Sequence, residues 1–160
     1  MVHATREAVQ VSGGRPVPAA NLHLTLAFLG SVAERRLPEL IEIGRAAAPD
    51  NSLGVTFDHL EYWRAAQVLC ALPAAAPARI AGLARSLQGL LAASGFAPEL
   101  ENVTGQFRPH VTLARKVHRL PEIMDMQSAT WSSTDFVLVD SNTLTTGPVY
   151  TVLERFPHAH

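Results

Sequence analysis

The chain has 160 residues, the size of one ordinary domain, and this predicts a single domain over residues 1–160. Hydrophobic residues make up 48% of the chain and charged residues only 17%, which excludes a disordered polyelectrolyte. Thirteen lysines and arginines stand against 14 acidic residues, so extended binding to DNA through its phosphates is not expected. A short or terminal phosphate ligand needs only a local cluster of cations and remains compatible with this balance.

Cysteine content and hydropathy indicate the compartment. The only cysteine, Cys70, lies in the apolar run 68–72 and is predicted to be a buried thiol of the core. No apolar stretch approaches the roughly 20 residues of a membrane span. The first residues lack the apolar region of a secretion signal. We therefore expect a cytoplasmic protein without a membrane partner.

In chain order, the first predicted elements are a loop over 12–18, a strand over 22–29 and a helix over 33–48 with Pro38 in its first turn. The strand prediction depends on large apolar residues at every second position, which are Leu22, Leu24, Leu26 and Phe28. Phe28 is accordingly predicted to lie on the core face.

The remaining elements alternate between strands and one clear helix. A strand over 52–62 and another over 67–72 are joined by the connection 64–66, and they precede a helix along the stripe 80–91 that ends at Ser94-Gly95. Further strands are predicted at 109–115, 130–139 and 148–154, the last two separated by turn signals at Asn142 and Gly147-Pro148. This mixture of antiparallel strands and two helices predicts an α+β fold.

A five-residue pattern occurs twice, once in each half of the chain. His23-Leu24-Thr25-Leu26-Ala27 and His110-Val111-Thr112-Leu113-Ala114 stand 87 residues apart. A bare His-x-Thr is expected about 0.5 times by chance in this composition, but two copies followed by leucine are expected with a probability of roughly 0.002. The repeat therefore indicates a paired functional element.

The residue types of the repeat suit acid–base chemistry. In a strand, residues i and i+2 point to the same side, so each motif presents an imidazole beside a hydroxyl while its leucine packs into the core. Because histidine titrates near neutrality, one ring can be neutral while the other is protonated. Reaction at phosphorus needs this combination of a base, an acid and donors for the non-bridging oxygens.

A metal centre is the competing interpretation of the histidines. It would need further ligands at suitable spacing, and the other candidates form no such set; they are His59, His118, His158 and His160. His59 alternates with Phe57 and is interpreted as structural. We therefore expect no metal and no cofactor.

The two motifs and their flanks resemble the two-histidine phosphoesterase superfamily. Within it, the runs 14–30 and 107–115 are similar to the two signatures of the bacterial RNA 2′,3′-cyclic phosphodiesterases, also called 2′-5′ RNA ligases (LigT-like), and 150–156 resembles their closing strand. The resemblance implies two pseudo-symmetric lobes of antiparallel sheet with helices outside and an active-site groove between the lobes. It also implies metal-independent opening of a 2′,3′-cyclic phosphate, at an RNA end or in a small cyclic nucleotide, to a 2′-phosphate.

The resemblance implies roles for five residues. His23 would be the general acid for the 3′ leaving oxygen and His110 the base that activates water, with the roles exchanged in the reverse, ligating direction. Thr25 and Thr112 would hold the phosphoryl oxygens. Arg115 matches a position associated with the phosphate, although strand alternation alone turns it away from His110.

Members of this family usually begin with a phenylalanine-rich strand that ends in Leu-Pro, and no such strand precedes Gly13-Gly14. An unpaired sheet position invites pairing with another chain, so we expect a monomer or a strand-exchanged dimer. Two alternatives to the RNA activity stay open. One is a 2′-5′ or nucleotide-sugar cyclic phosphodiesterase of the same superfamily, and the other is a module that binds RNA ends or nucleotides without turnover.

Aromatic and basic residues outside the motifs provide candidate ligand contacts. Aromatic side chains stack on unpaired bases, which makes Trp63 and Phe107 candidate base contacts. Phe28 is a third aromatic candidate, but its predicted place on the core face is preferred. A local cationic site could be assembled from four arginines, which are Arg15, Arg64, Arg108 and Arg115.

Overall fold

The structure, a computed structural model, describes residues 9–10, 12–98, 107–119, 126–144 and 147–157. These residues form antiparallel sheets and two α-helices, which confirms the predicted α+β class. They divide into two compact units: unit 1 is Met1–Thr25, Val55–Pro77 and Pro109–Trp131, and unit 2 is Leu26–Gly54, Ala78–Arg108 and Ser132–His160. The internal symmetry and the groove implied by the resemblance stay predictions.

The elements, in chain order, are β1 (Arg15–Pro16), α1 (Leu37–Ala47), β2 (Leu53–Phe57), β3 (His59–Trp63), β4 (Val68–Leu72), α2 (Ala78–Ala93), β5 (Val111–Arg115), β6 (Ala129–Ser133), β7 (Asp135–Leu144) and β8 (Gly147–Pro157). One sheet has four strands in the order β1-β5-β4-β3, and two further pairs are β2 with β6 and β7 with β8. Neither described helix has the length and apolar character that crossing a membrane requires.

The four-stranded sheet is antiparallel throughout and belongs to unit 1. β3 and β4 form the predicted hairpin through the turn 64–67, in which Gln67 adopts a φ of 53°. Residues paired across antiparallel strands point to the same side of the sheet. We call the side that carries Cys70 the Cys70 face. From β3 and β4 this face carries His59, Glu61, Trp63, Val68, Cys70 and Leu72.

The pairing of β4 with β5 contains an extra residue in β5. Leu69 is opposite Ala114 and Cys70 is opposite Thr112, so Leu113 is the additional residue of a β-bulge. A bulge shifts the alternation of the strand by one position. Thr112 and Arg115, opposite Cys70 and Val68, therefore both lie on the Cys70 face.

Two predicted strands are each two strands in the structure. The prediction of one continuous strand over 52–62 is wrong, because Asp58 separates β2 from β3. β2 pairs with β6, whereas β3 pairs with β4. Likewise 130–139 contains β6 and the start of β7. Asn142 lies inside β7, opposite Val149, and does not form the predicted turn. At the first of these junctions the buried apolar positions change phase, from Phe57 to Leu60, and this shift coincides with the change of pairing partner.

The predicted strand over 22–29 is also wrong. A 3₁₀ turn at Ala19–Asn21 precedes it, residues 22–25 adopt no regular structure, and Phe28 forms an isolated bridge. Phe28 is 48% exposed, which corrects its predicted place on the core face. Leu22 is extended, with φ −71° and ψ 121°. The alternating pattern thus corresponds to a segment without a continuous ladder of strand hydrogen bonds, because alternation of apolar residues does not specify a pairing partner.

Both helices confirm their predictions. Pro38 stands in the first turn of α1, where its missing N–H is tolerated. α2 buries the predicted stripe and ends with Gly95 at a φ of 71°. The amides of Gly95 and Phe96 then donate to the carbonyls of Ala92 and Leu91, at 3.0 and 2.9 Å, which satisfies the last turn of the helix.

Candidate active site

His23 lies directly after the 3₁₀ turn and is held by it. The amide of Asn21 donates to the Pro18 carbonyl at 2.8 Å, and this turn aims the Asn21 carbonyl at the imidazole. His23 Nδ1 lies 2.7 Å from that carbonyl oxygen. A carbonyl only accepts, so Nδ1 carries the proton of this hydrogen bond and Nε2 is the nitrogen that can exchange a proton with a ligand. The side chain is exposed.

His110 immediately precedes β5, and its ring lies against Trp63. The two ring centroids are 4.5 Å apart and the planes are inclined by 55°. Both residues are half-buried. Contact with the indole on one side reduces the orientations open to the imidazole. The sequence predicts Trp63 as a candidate base contact but does not reveal its contact with His110, because the two residues come together only through the tertiary structure.

Thr112 occupies the centre of β5, above an apolar floor on the Cys70 face. The floor is a cluster of buried side chains, against which Trp63 packs: Val68, Cys70 and Leu72. Cys70 is fully buried, which confirms the predicted core thiol, and its Sγ lies 3.8 Å from Thr112 Oγ1. Thr112 itself is half-buried, so its hydroxyl stands at the boundary between the floor and solvent.

Arg115 ends β5 on the same face as Thr112. Simple alternation would have separated them, and the bulge at Leu113 removes that conflict. Arg115 is also directly opposite Arg15 of β1, and both side chains are exposed. The structure therefore brings two of the four candidate arginines together.

The short strand β1 is held by the loop before it. Ser12 is fully buried, and its Oγ donates to the Val9 carbonyl at 2.7 Å. The Gly14 amide donates back to Ser12 Oγ at 3.3 Å. A Cβ on Gly14 would lie 2.7 Å from Val117 Cγ2 and 3.2 Å from the Arg115 carbonyl, so only glycine permits this approach to β5.

At the far edge of the Cys70 face, β3 carries His59 and Glu61. His59 Nδ1 lies 2.8 Å from Asp58 Oδ1. This hydrogen bond is the main cause that lowers the pKa of the Asp58 carboxyl below its usual 3.8. The predicted alternation of His59 with Phe57 does not hold, because the two residues belong to different strands.

All five residues of the predicted site belong to unit 1. The second motif and Arg115 are placed on one sheet face, whereas His23 and Thr25 lie on the irregular segment 22–25, where Thr25 is half-buried. Within the described ranges, no three potential metal ligands of the His, Cys, Asp and Glu types are grouped together. His158 and His160 lie outside the described residues. Phe107 is half-buried, and Arg64 and Arg108 are exposed.

The amino-acid sequence is similar to a known enzyme family. A sequence profile described as LigT like Phosphoesterase matches residues 2–69. A Thermus thermophilus protein named RNA 2′,3′-cyclic phosphodiesterase is 30% identical over 98% of this chain and 81% of its own length. An Escherichia coli protein of the same name is 34% identical over 89% of this chain and 79% of its own length.

The fold is similar to a solved structure as well. The crystal structure of E. coli LigT complexed with 3′-AMP matches with a TM-score of 0.80 at 27% identity. This match covers 98% of the present chain and 92% of the E. coli chain. Sequence and fold thus point to the same group of proteins.

Proposed function

The chain belongs to the LigT-like phosphoesterase family, and from this membership we propose that it is an RNA 2′,3′-cyclic phosphodiesterase. It opens the cyclic phosphate at an RNA end and leaves a 2′-phosphate. One observation carries the proposal: both His-x-Thr-Leu-Ala motifs are complete in a chain that is 30% identical, over 98% of its length, to a protein of that name. The cytoplasm is the predicted location.

The proposed reaction transfers the phosphoryl group from the 3′ oxygen to water. His110 removes a proton from water, the water oxygen bonds to phosphorus, and the bond from phosphorus to the 3′ oxygen breaks. His23 supplies the proton that the 3′ oxygen needs. The bond from phosphorus to the 2′ oxygen stays intact, so the product is a 2′-phosphate and a 3′-hydroxyl.

The local geometry suits an acid–base pair. The hydrogen bond from His23 Nδ1 to the Asn21 carbonyl favours a ring that is protonated on Nδ1 and that can deliver a second proton from Nε2. Trp63 limits the rotation of the His110 ring, which favours a constant direction of proton abstraction. We assign His23 and His110 no role as metal ligands, and the proposed reaction is metal-independent.

Thr25, Thr112 and Arg115 are proposed to bind the non-bridging phosphoryl oxygens. Negative charge on these oxygens increases as the fifth bond to phosphorus forms, and donors aimed at them stabilise the transition state. Thr112 and Arg115 share the Cys70 face, which supports their action on one phosphoryl group. A guanidinium adds a permanent positive charge to this set.

Hydrolysis of a nucleoside 2′,3′-cyclic phosphate in the presence of EDTA tests the proposal. The wild type should form the 2′-phosphate isomer, identified by comparison with both isomers, and His110→Ala should form neither. His118→Ala is the matched control, because His118 is an exposed histidine outside both motifs.

Failure of the wild type on mononucleotides and on short RNA would refute the activity. It would favour a module that binds RNA ends without turnover. Turnover to the 3′-phosphate would instead reverse the assigned leaving group. Hydrolysis of a 2′-5′ linkage or of a nucleotide-sugar cyclic phosphate in preference to RNA ends would favour the superfamily alternatives.

A further inference from the structure

Two arginines stand side by side at the end of the Cys70 face. Arg15 of β1 is directly opposite Arg115 of β5, and both are exposed. Among the described residues, no carboxylate forms an ion pair with either of them. Like charges directly opposite each other in a sheet are destabilising. Binding of an anion by the two arginines would therefore reduce the repulsion between their charges.

The position of Arg15 differs from that of the residues assigned to the reacting phosphate. Arg115 is opposite Val68 and Thr112 is opposite Cys70, so the two are separated by two residue positions of β4. Arg15 is opposite Arg115 on the neighbouring strand β1. Sheet spacings then separate the Cα atoms of Arg15 and Thr112 by about 8 Å. This separation suits a neighbouring phosphoryl group better than the one held at Thr112.

We propose that Arg15, with Arg115 beside it, binds the phosphodiester group immediately 5′ of the reacting nucleotide and thereby makes RNA ends better substrates than mononucleotides. The inference rests on the proposed function and deepens it. Arginine suits such a site because its planar fork donates to two phosphate oxygens together. The negative side chain on this face, Glu61, is on β3, at the opposite edge of the sheet from Arg15.

The backbone keeps Arg15 in place without help from its side chain. The Val17 amide donates to the Leu113 carbonyl at 2.8 Å, so β1 is joined to the bulged residue of β5. Gly14 permits the close approach just before Arg15. Substitution of the guanidinium should therefore leave the strand pairing intact, and loss of the like-charge contact should leave the free protein at least as stable.

Three substrates with the same cyclic end test whether Arg15 recognises a terminal 5′-phosphate or an internal phosphodiester. They are a 2′,3′-cyclic mononucleotide with a 5′-hydroxyl, the same nucleotide with a 5′-phosphate, and a dinucleotide with an internal phosphodiester. Arg15→Gln should lower kcat/KM on the dinucleotide about tenfold and on the 5′-hydroxyl mononucleotide less than twofold. The dependence of log kcat/KM on log salt for the dinucleotide should become shallower by about 0.7 to 1.

Two variants serve as controls. Arg85→Gln removes an exposed arginine from α2 and should change none of the three rates. Arg15→Lys keeps the charge without the fork and should retain part of the preference for the dinucleotide. Thermal melts of all variants check that the fold is unchanged.

An equal loss on all three substrates, or no loss on the dinucleotide, would overturn the proposal. An equal loss on the 5′-phosphorylated mononucleotide and the dinucleotide would indicate a general phosphoryl site and overturn the assignment to the RNA backbone. If the wild type hydrolyses none of the substrates, calorimetry measures the binding of the dinucleotide 2′-phosphate instead. The proposed function then fails, and weaker dinucleotide binding by Arg15→Gln, without weaker mononucleotide binding, still supports the Arg15 site.

Discussion

Trp63 and His110 are distant in sequence, yet their rings lie 4.5 Å apart. Trp63 ends β3, His110 immediately precedes β5, and β4 lies between these two strands in the sheet. Trp63 is opposite Val68 on β4, and β4 is paired with β5, which begins next to His110. The indole also packs on the apolar floor of Val68, Cys70 and Leu72. Trp63 thus contacts both the apolar floor and the imidazole of His110.

Replacement of Trp63 should alter the catalytic step more than substrate binding. Trp63→Ala is expected to lower kcat about tenfold with a smaller change in KM, because the His110 ring gains orientations that do not face the water. Trp63→Phe should recover part of kcat, since an aromatic face is kept. The measurement is steady-state kinetics on a cyclic mononucleotide.

Trp131→Ala is the matched control, because Trp131 belongs to the same unit and contacts Phe57 rather than a motif residue. Its side chain is 42% exposed, so its removal should be tolerated. Equal losses of kcat in the Trp63 and Trp131 variants would contradict a positioning role. A change in KM alone for Trp63→Ala would indicate base stacking instead.

The two histidines should act as a unit. His23→Ala and His110→Ala are each expected to lower kcat by about 10²- to 10⁴-fold, and the double variant should be little worse than the more damaged single variant. The wild type should show a bell-shaped dependence of kcat/KM on pH whose limbs belong to the pair. Multiplicative losses in the double variant, or a rate that changes monotonically through neutrality, would contradict the proposed acid–base pair.

The hydroxyl of Thr112 should matter more than its shape. Thr112→Val keeps the volume but removes the donor, and kcat should fall about 10²-fold, as for other donors to a developing oxyanion. Thr112→Ser should retain most of the rate. Thr56→Val is the control: Thr56 is an exposed strand threonine whose Oγ1 lies 3.0 Å from Thr130 Oγ1. Similar rates for Thr112→Val and the wild type would remove Thr112 from the site.

Gly44 of α1 should resist any enlargement, because a Cβ at this position would overlap the ring of Phe156 on β8. Gly44→Ala is expected to lower the free energy of unfolding by about 1–3 kcal/mol through overpacking, despite the higher helix propensity of alanine. Gly89→Ala on α2 has open space around its Cβ and should stabilise by about 0.5–1 kcal/mol. Denaturant unfolding measures both, and equal effects of the two substitutions would contradict this packing.

The pair Asp58 and His59 should contribute a small stability that depends on pH. The pKa of Asp58 is lowered in the folded state, so its contribution is present above the usual value of 3.8 and decreases as pH falls through the lowered value. The difference in Tm between the wild type and Asp58→Asn should therefore shrink on acidification below about pH 4. It should also shrink with added salt, because the pair is exposed. A difference that grows on acidification would contradict the assignment.

Local sequence patterns predicted some of these features well. The stripe of α2 and its glycine end follow from side-chain spacing and from a φ of 71° that suits Gly95. The hairpin of β3 and β4 follows from two apolar runs around a short polar connection. Both features depend only on residues that are close in the chain, so the sequence alone predicts them.

Other features required the pairing of distant strands. The segment 22–25, which holds His23 and Thr25 of the first motif, forms no regular strand, because its alternation does not specify a hydrogen-bonding partner. The bulge at Leu113 is defined by a mismatch between β4 and β5, and no local residue pattern announces it. The contact of Trp63 with His110 joins the end of β3 to the residue before β5, two strands that β4 separates, so no local pattern predicts it.

The amino-acid sequence alone determined which chemistry is available, since the twice-repeated histidine and threonine are chemical identities that need no coordinates. Only the tertiary structure decided which side chains join them. By one extra residue in β5, it turned Arg115 to the side of Thr112, and by pairing β1 with β5 it set Arg15 beside Arg115. The physical reason is that the side-chain period of a strand is two residues, so a shift of one changes the face of every residue that follows.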